Sequence, residues 1–142
     1  MLFRSPQLAG RETGKKFAAA GDASMELKKE LRALGFSPIT IRKASIAMYE
    51  GEINMVIHAG GGKASVTITP EQIEIVLKDQ GPGIPDMEKA MAEGYSTATE
   101  EIRNRGFGAG MGLPNMKKNS DSFKIESVVG KGTTVTMIVK TV

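Results

Sequence analysis

Two glycine-rich clusters between residues 79 and 113 constrain the fold of this 142-residue chain more than any other feature. The first reads Asp79-Gln80-Gly81-Pro82-Gly83-Ile84 and directly follows an apolar stretch, and the second spans residues 106–113 and precedes a helical pattern. Glycine lets the backbone approach a ligand closely and adopt positive φ, and N–H groups at a helix start can hold phosphate. Each cluster alone is equally compatible with a tight turn, so the choice depends on the residues upstream.

Upstream of both clusters, residues 39–58 carry apolar side chains with a helical rhythm. Glu50 and Asn54 are one turn apart in this segment and therefore share a face. A carboxylate and a carboxamide so placed can hold a water and a hard cation, which prefers oxygen ligands. The same pair is also typical of an ordinary solvated helix face. Gly51 departs from the helical pattern, because glycine costs up to about 1 kcal/mol relative to Ala.

The Glu50–Asn54 pair and the two glycine-rich clusters, in this order, resemble the motifs of the GHKL (Bergerat-fold) ATP-binding superfamily. That superfamily includes histidine-kinase catalytic domains, type II topoisomerase and mismatch-repair ATPases, heat-shock chaperones and anti-sigma-factor serine kinases. The segment from Glu50 to Asn54 is similar to its N box, Asp79-x-Gly81-x-Gly83 to its first glycine box and Gly108-x-Gly110-x-Gly112 to its second. Gly132-Thr133-Thr134 matches the closing strand motif, so the resemblance covers about residues 39–139.

Within the superfamily, the chain most resembles the small anti-sigma regulatory factors and their serine/threonine kinase relatives. Residues 93–98, residues 103–113 and the sequence Ile57-His58-Ala59-Gly60 carry this likeness. A sensor histidine kinase would need a dimerising helical hairpin with a phosphoacceptor histidine, whereas His58 is the one histidine here. The sequence therefore argues against an intact sensor kinase.

The resemblance implies a role for each matching residue. It assigns Glu50 as the catalytic base, Asn54 as the ligand of Mg²⁺, and Asp79 as the acceptor of the adenine amino group. The residues that it assigns to nucleotide binding are Asn54, Asp79, Gly81, Gly83, Gly108, Gly110, Met111, Gly112 and Thr133. The expected cofactors are ATP and Mg²⁺.

The expected fold is an α+β two-layer sandwich of the Bergerat type, with a mixed, mostly antiparallel sheet and helices on one face. Its predicted helices are 23–34, 39–58, 87–92 and 111–119, and its predicted strands are 17–20, 64–69, 73–79, 122–128 and 133–139. We expect one ATP-binding domain over residues 1–142, with a loose N-terminal segment at 1–16. The polar stretch at 93–110 is predicted to be an ATP lid, since so long a connection is usually functional or disordered.

Composition narrows the class of protein. The formal net charge is +3, but the basic residues are dispersed and aromatic residues make up 5% of the chain, so we expect no direct nucleic-acid binding. No apolar run approaches the ~18 residues of a membrane span, and the N-terminus lacks the apolar region of a secretory signal. With no cysteine, disulfide and thiolate metal sites are excluded. A cytoplasmic protein is expected.

Three functions remain open at this point. The first is an ATP-dependent serine/threonine protein kinase or ATPase of the anti-sigma type, acting on a small partner such as a sigma factor or an anti-anti-sigma-like substrate. The second is a nucleotide-sensing switch that binds a partner without efficient transfer. The third is a stand-alone histidine-kinase catalytic domain, and the family resemblance also allows a homodimer.

Several residues keep two interpretations. His58 is either a helix-end residue favoured by the helix dipole or a ligand. Arg103 and Arg105 either reach phosphates from the lid or stay solvated, and Ser96 and Thr97 are either phosphorylated or simply polar.

Overall fold

The computed structural model describes residues 3–4, 11–13, 22–92 and 112–141. The helices are α1 (Asp22–Ala33), α2 (Pro38–Ala59), α3 (Met87–Met91) and α4 (Gly112–Lys118). The strands are β1 (Phe3–Arg4), β2 (Arg11–Thr13), β3 (Gly62–Ile68), β4 (Gln72–Lys78), β5 (Ser122–Val128) and β6 (Gly132–Lys140).

The long helix α2 has clear sequence signals at both ends. Ser37 is its N-cap, and the Ser37 hydroxyl accepts the Thr40 backbone N–H at 3.2 Å. Pro38 occupies the first turn, where the missing N–H costs nothing. At the other end Gly60 adopts the left-handed conformation with φ 72°, and its N–H is donated to the carbonyl of Val56 at 3.3 Å. These caps fix the length of the helix that carries Glu50 and Asn54.

Helix α1 is joined to α2 by a buried carboxylate. Glu52 is 1% exposed, and its side chain accepts the backbone N–H of Ser24 at 2.5 Å and that of Ala23 at 3.4 Å. The first N–H groups of a helix lack partners within the helix, and they carry a partial positive charge that favours an acid. Glu52 therefore caps α1 from the neighbouring helix.

The described strands form one sheet with the order β1-β3-β4-β6-β5, and β2 also pairs with β3. Alternate residues of β3, β4 and β6 face the helices and are buried, and they make up the core with apolar residues of the helices. The core residues contributed by these strands are Ala64, Val66, Ile68, Ile73, Ile75, Leu77, Val135, Met137 and Val139. On the opposite face the alternate residues are half-buried or exposed.

Gly51 lies where α2 crosses the sheet. A Cβ at this position would overlap Cδ1 of Leu77 on β4, which is itself 2% exposed. The glycine that weakens the helical pattern therefore permits close packing of α2 against β4.

The predicted α+β sandwich with helices on one face is confirmed, and the helix and strand boundaries within the described segments differ from expectation by at most two residues. Every pair of described strands is antiparallel, so the expected parallel component is absent from this part of the chain. The expected first strand at 17–20 lies outside the described residues.

Within the N-terminal segment at 1–16, the structure describes two short strands, at residues 3–4 and 11–13. The short strands β1 and β2 pair with β3, with Phe3 opposite Ile68 and Arg11 opposite Ala64. Edge pairing uses backbone N–H and C=O groups, which any sequence carries. Pairing of this kind therefore requires no alternation of apolar residues in the sequence of the edge strands.

Candidate functional site

One end of the candidate site lies between α2 and the first residue of α4. Glu50 and Asn54, one turn apart on α2, both face Gly112, since a Cβ there would lie 3.9 Å from Asn54 Oδ1 and 4.0 Å from Glu50 Oε2. Both side chains are half-buried. The start of α4 is thus the place where an acid, a carboxamide and backbone of the second glycine cluster come together.

The carboxylate of Glu50 is subject to two opposing influences. Burial raises the pKa of Glu50 above its usual value, because a charged carboxylate loses hydration. A side-chain hydrogen bond from Asn115 lowers this pKa, and in it Asn115 Nδ2 donates to Glu50 Oε1 at 3.4 Å. Sequence reasoning missed Asn115, although it stands three residues after Gly112 on the same short helix.

The other end of the site is built around Asp79, directly after β4. The Asp79 backbone N–H is donated to the carbonyl of Thr133 at 2.9 Å, which ties the end of β4 to β6. Asp79 Oδ1 accepts the N–H of Gly81 at 2.9 Å and the N–H of Thr133 at 3.1 Å. The structure therefore brings two backbone N–H groups, one from each of two sequence motifs, onto one carboxylate oxygen of Asp79.

The first glycine cluster is held against the turn between β5 and β6. Gly83 has φ 79°, and a Cβ at this position would lie 2.6 Å from the carbonyl oxygen of Val128. The carbonyl of Pro82 accepts the N–H of Gly130 at 2.8 Å. Both positive φ and close approach thus require glycine at residue 83.

His58 lies in the last turn of α2, near Asp79. Burial lowers the pKa of His58, and the negative charge of Asp79 acts in the opposite direction. Its position agrees with the helix-end interpretation and also brings the imidazole to the Asp79 end of the site.

A family model described as "Histidine kinase-, DNA gyrase B-, and HSP90-like ATPase" matches residues 44–142, well over half of the chain. The chain belongs to this family. The match includes Glu50, Asn54, Asp79 and Thr133, and it confirms the superfamily expected from the sequence motifs.

Relatives within this ATPase family carry names of kinases and anti-sigma factors. The serine/threonine-protein kinase RsbT of Bacillus subtilis is 33% identical over 75% of this chain and 77% of its own length. An anti-sigma F factor of Caldanaerobacter subterraneus is 38% identical over 64% of each chain, so slightly less than two thirds of that relative is spanned. The mycobacterial sensor histidine kinase MprB has the same fold, with a TM-score of 0.53 at 18% identity over 93% of this chain and 97% of that one.

Part of the predicted ATPase site lies outside the described residues. This applies to the predicted lid at 93–110 with Ser96, Thr97, Arg103 and Arg105, and to Gly108, Gly110 and Met111. Gly112 is the described member of the second glycine motif.

In ranges 22–92 and 112–141, no three His, Cys, Asp or Glu side chains are grouped so that they could hold a metal ion. Within the same ranges, no helix is long and apolar enough to cross a membrane.

Proposed function

We propose that this protein is an ATP-dependent serine/threonine protein kinase of the anti-sigma type, which transfers the γ-phosphate of ATP to a small partner protein. The observation that carries the proposal is that one helix serves both ends of the site. Helix α2 presents Glu50 and Asn54 to the start of α4, and its last turn lies beside Asp79. The eight residue steps from Glu50 to His58 rise about 12 Å. This distance separates an end of the site for the phosphates, the phosphate end, from an end for the adenine base, the base end.

At the base end, Asp79 is the proposed acceptor of the adenine amino group. Both hydrogen bonds that its carboxylate accepts from described residues go to Oδ1. The second oxygen, Oδ2, is therefore the one to receive the exocyclic amine. Gly81 and Gly83 bring the backbone close to the base, and we assign Thr133 to the same contact network.

At the phosphate end, we assign the backbone amides of Gly108, Gly110, Met111 and Gly112 to the phosphates by family resemblance. Asn54 is the proposed ligand of Mg²⁺, and the residues present fit this ion. Mg²⁺ takes few protein ligands, prefers oxygen and is held largely by water and substrate phosphates, so the amide oxygen of Asn54 suffices without an acidic cluster. When bound, Mg²⁺ supplies charge neutralisation of the phosphates.

Glu50 is the proposed general base. Its carboxylate takes the proton of the attacking Ser or Thr hydroxyl while the new bond forms from that oxygen to the γ-phosphorus. The bond between the γ-phosphorus and the bridging oxygen breaks, and ADP leaves with that electron pair. The raised pKa of Glu50 increases its basicity, and the hydrogen bond from Asn115 orients the carboxylate.

The proposed partner is a protein, such as a sigma factor or an anti-anti-sigma-like substrate. Relatives named as anti-sigma F factors and as a serine/threonine-protein kinase support a protein rather than a small molecule as acceptor. We propose a cytoplasmic, single-domain regulator that is able to form a homodimer and does not bind nucleic acid directly.

The test is phosphate transfer from labelled ATP to a partner co-purified from the source cell. We expect Glu50→Ala to reduce transfer by about 100-fold or more, as loss of a general base does, while ATP affinity changes little. Glu71→Ala is the matched control, because Glu71 is an exposed carboxylate in the turn between β3 and β4, and it should behave as wild type. Undiminished transfer by the Glu50 variant would rule out the assigned base.

The same experiment separates the kinase from a nucleotide-sensing switch. If wild-type protein binds ATP and the partner but transfers no label, the kinase proposal is wrong and the switch is favoured.

A further inference from the structure

Ser127 lies on β5 directly opposite Thr133 of β6, at the end of the sheet where Asp79 emerges from β4. It belongs neither to the glycine clusters nor to the closing motif at residues 132–134. Its side chain is half-buried. The proposed kinase mechanism assigns it no role.

The hydroxyl of Ser127 connects two parts of the base end. Its oxygen accepts the backbone N–H of Ile84 at 2.7 Å, so it anchors the residue that follows Gly83. The same oxygen lies 2.9 Å from Thr133 Oγ1 and 3.3 Å from the carbonyl oxygen of Gly132. Ile84 and Ser127 are 43 residues apart in the sequence, so this bridge depends on the fold.

The single proton of Ser127 determines what Thr133 offers to a ligand. A serine hydroxyl has one hydrogen to donate, and either the Gly132 carbonyl oxygen at 3.3 Å or Thr133 Oγ1 at 2.9 Å can accept it. Within the Ser127–Thr133 contact, either hydroxyl can be the donor. When Ser127 donates to Thr133, the Thr133 hydroxyl keeps its own hydrogen for a base or a bridging water. If the direction were reversed, Thr133 would present only lone pairs.

A hydroxyl donor beside a carboxylate acceptor matches one purine better than the other. The recognition edge of adenine carries an amino donor next to a ring-nitrogen acceptor, which complements Asp79 and a donating Thr133. Guanine carries a carbonyl oxygen and a ring N–H in these places, so it would meet an acceptor with an acceptor and a donor with a donor. An unpaired buried polar group is costly, which makes the direction of this hydrogen bond a source of specificity.

We propose that Ser127 is a positioning and specificity-determining residue of the nucleotide site. Ser127 holds the Thr133 hydroxyl as a donor and fixes the turn at Gly83 and Ile84. As a result, the site prefers adenine over guanine. This inference rests on the proposed nucleotide-binding function. Ser127 acts through Thr133 and need not touch the nucleotide.

The test compares ATP and GTP affinity, each measured by displacement of a fluorescent adenine nucleotide in the presence of Mg²⁺. We expect Ser127→Ala to weaken ATP binding about three- to tenfold, the range for loss of one hydrogen bond, and to leave GTP affinity nearly unchanged. The ratio of ATP to GTP affinity therefore falls. Ser122→Ala is the matched control, since Ser122 is exposed at the other end of the same strand, and it should keep the wild-type ratio.

The Ser127→Ala substitution made in a Thr133→Val variant tests whether Ser127 acts through the Thr133 hydroxyl. Thr133→Val removes that hydroxyl and keeps the shape of the side chain, so adding Ser127→Ala to it should produce little further change in the affinity ratio. Ser127→Thr restores a hydroxyl and should restore the preference for ATP. If the alanine variant does not fold, as judged by circular dichroism and thermal unfolding, Ser127→Cys replaces it in the same comparisons.

Three results would overturn the inference. The first is an unchanged ratio of ATP to GTP affinity in Ser127→Ala. The second is an equal loss of ATP and GTP affinity in that variant, which a purely structural role predicts. The third is that Ser127→Ala changes the affinity ratio as much in the Thr133→Val background as in the wild type. In all three the wild-type protein still binds ATP, so the proposed function stands. Wild-type protein that binds no nucleotide removes both.

Discussion

Glu50 shows how burial and one hydrogen bond set the working range of a single carboxylate. Burial beneath α4 raises its pKa, and the amide of Asn115 partly offsets this effect. A base must be ionised to accept a proton, so the acidic limit of the transfer reaction should follow this balance. Glu52, two residues further along α2, caps α1 instead, because its carboxylate accepts backbone N–H groups at the start of that helix.

Asn115→Ala should shift the acidic limb of the pH–rate profile to higher pH. The hydrogen bond from Asn115 favours the charged carboxylate, so its removal raises the pKa of Glu50 further and a larger fraction of Glu50 is protonated at any given pH near the limb. Transfer at pH values above the limb should change much less. The measurement is the pH dependence of phosphate transfer from labelled ATP.

Lys117→Ala on the same helix is the control, because Lys117 is exposed and makes no described contact with Glu50. A limb that stays in place, or moves to lower pH, in Asn115→Ala would contradict the assignment of Glu50 as the titrating base.

At the scale of elements, the position of α2 on the sheet depends on the absence of a side chain at residue 51. Helix propensity alone favours Ala over Gly by up to about 1 kcal/mol. The fold opposes this preference, because a Cβ at residue 51 would overlap the buried side chain of Leu77. Since Glu50 adjoins this contact, any displacement of α2 also displaces the proposed base.

We expect Gly51→Ala to lower the free energy of unfolding by about 1–2 kcal/mol, since overpacking a core typically costs 1–3 kcal/mol and the gain in helix propensity offsets part of it. In a Leu77→Ala background the overlap is absent, so the same substitution should become neutral or stabilising. Urea denaturation of the four proteins measures both effects. A stabilising effect in the wild-type background would show that α2 does not lie this close to β4.

Across the whole molecule, sequence signals within a single turn or strand predicted most helices and strands. Several side-chain contacts between residues far apart in the sequence were not predicted. Ser37-Pro38 and Gly60 bound α2 because capping acts within one turn. Asn115 was missed because it acts on Glu50, 65 residues away in the sequence. Ser127 was missed because its contacts with Ile84, 43 residues away, and with Thr133 on the paired strand form only in the folded sheet. The short N-terminal strands were missed because backbone pairing with β3 requires no particular side chains.

The proposed site for ATP with Mg²⁺ is defined by Asp79, beside the last turn of α2, and by Asn54, four residues before His58 on the same helix. Calorimetric titration of ATP with and without Mg²⁺ tests it most directly, on wild type, Asp79→Asn and the control Asp121→Asn, which changes an exposed carboxylate next to the start of β5. We predict ATP binding that Mg²⁺ strengthens, a loss of about tenfold or more in Asp79→Asn, equivalent to at least ~1.4 kcal/mol, and wild-type affinity in the control. Absence of ATP binding by the wild type, or equal affinity in Asp79→Asn, would rule out this nucleotide site.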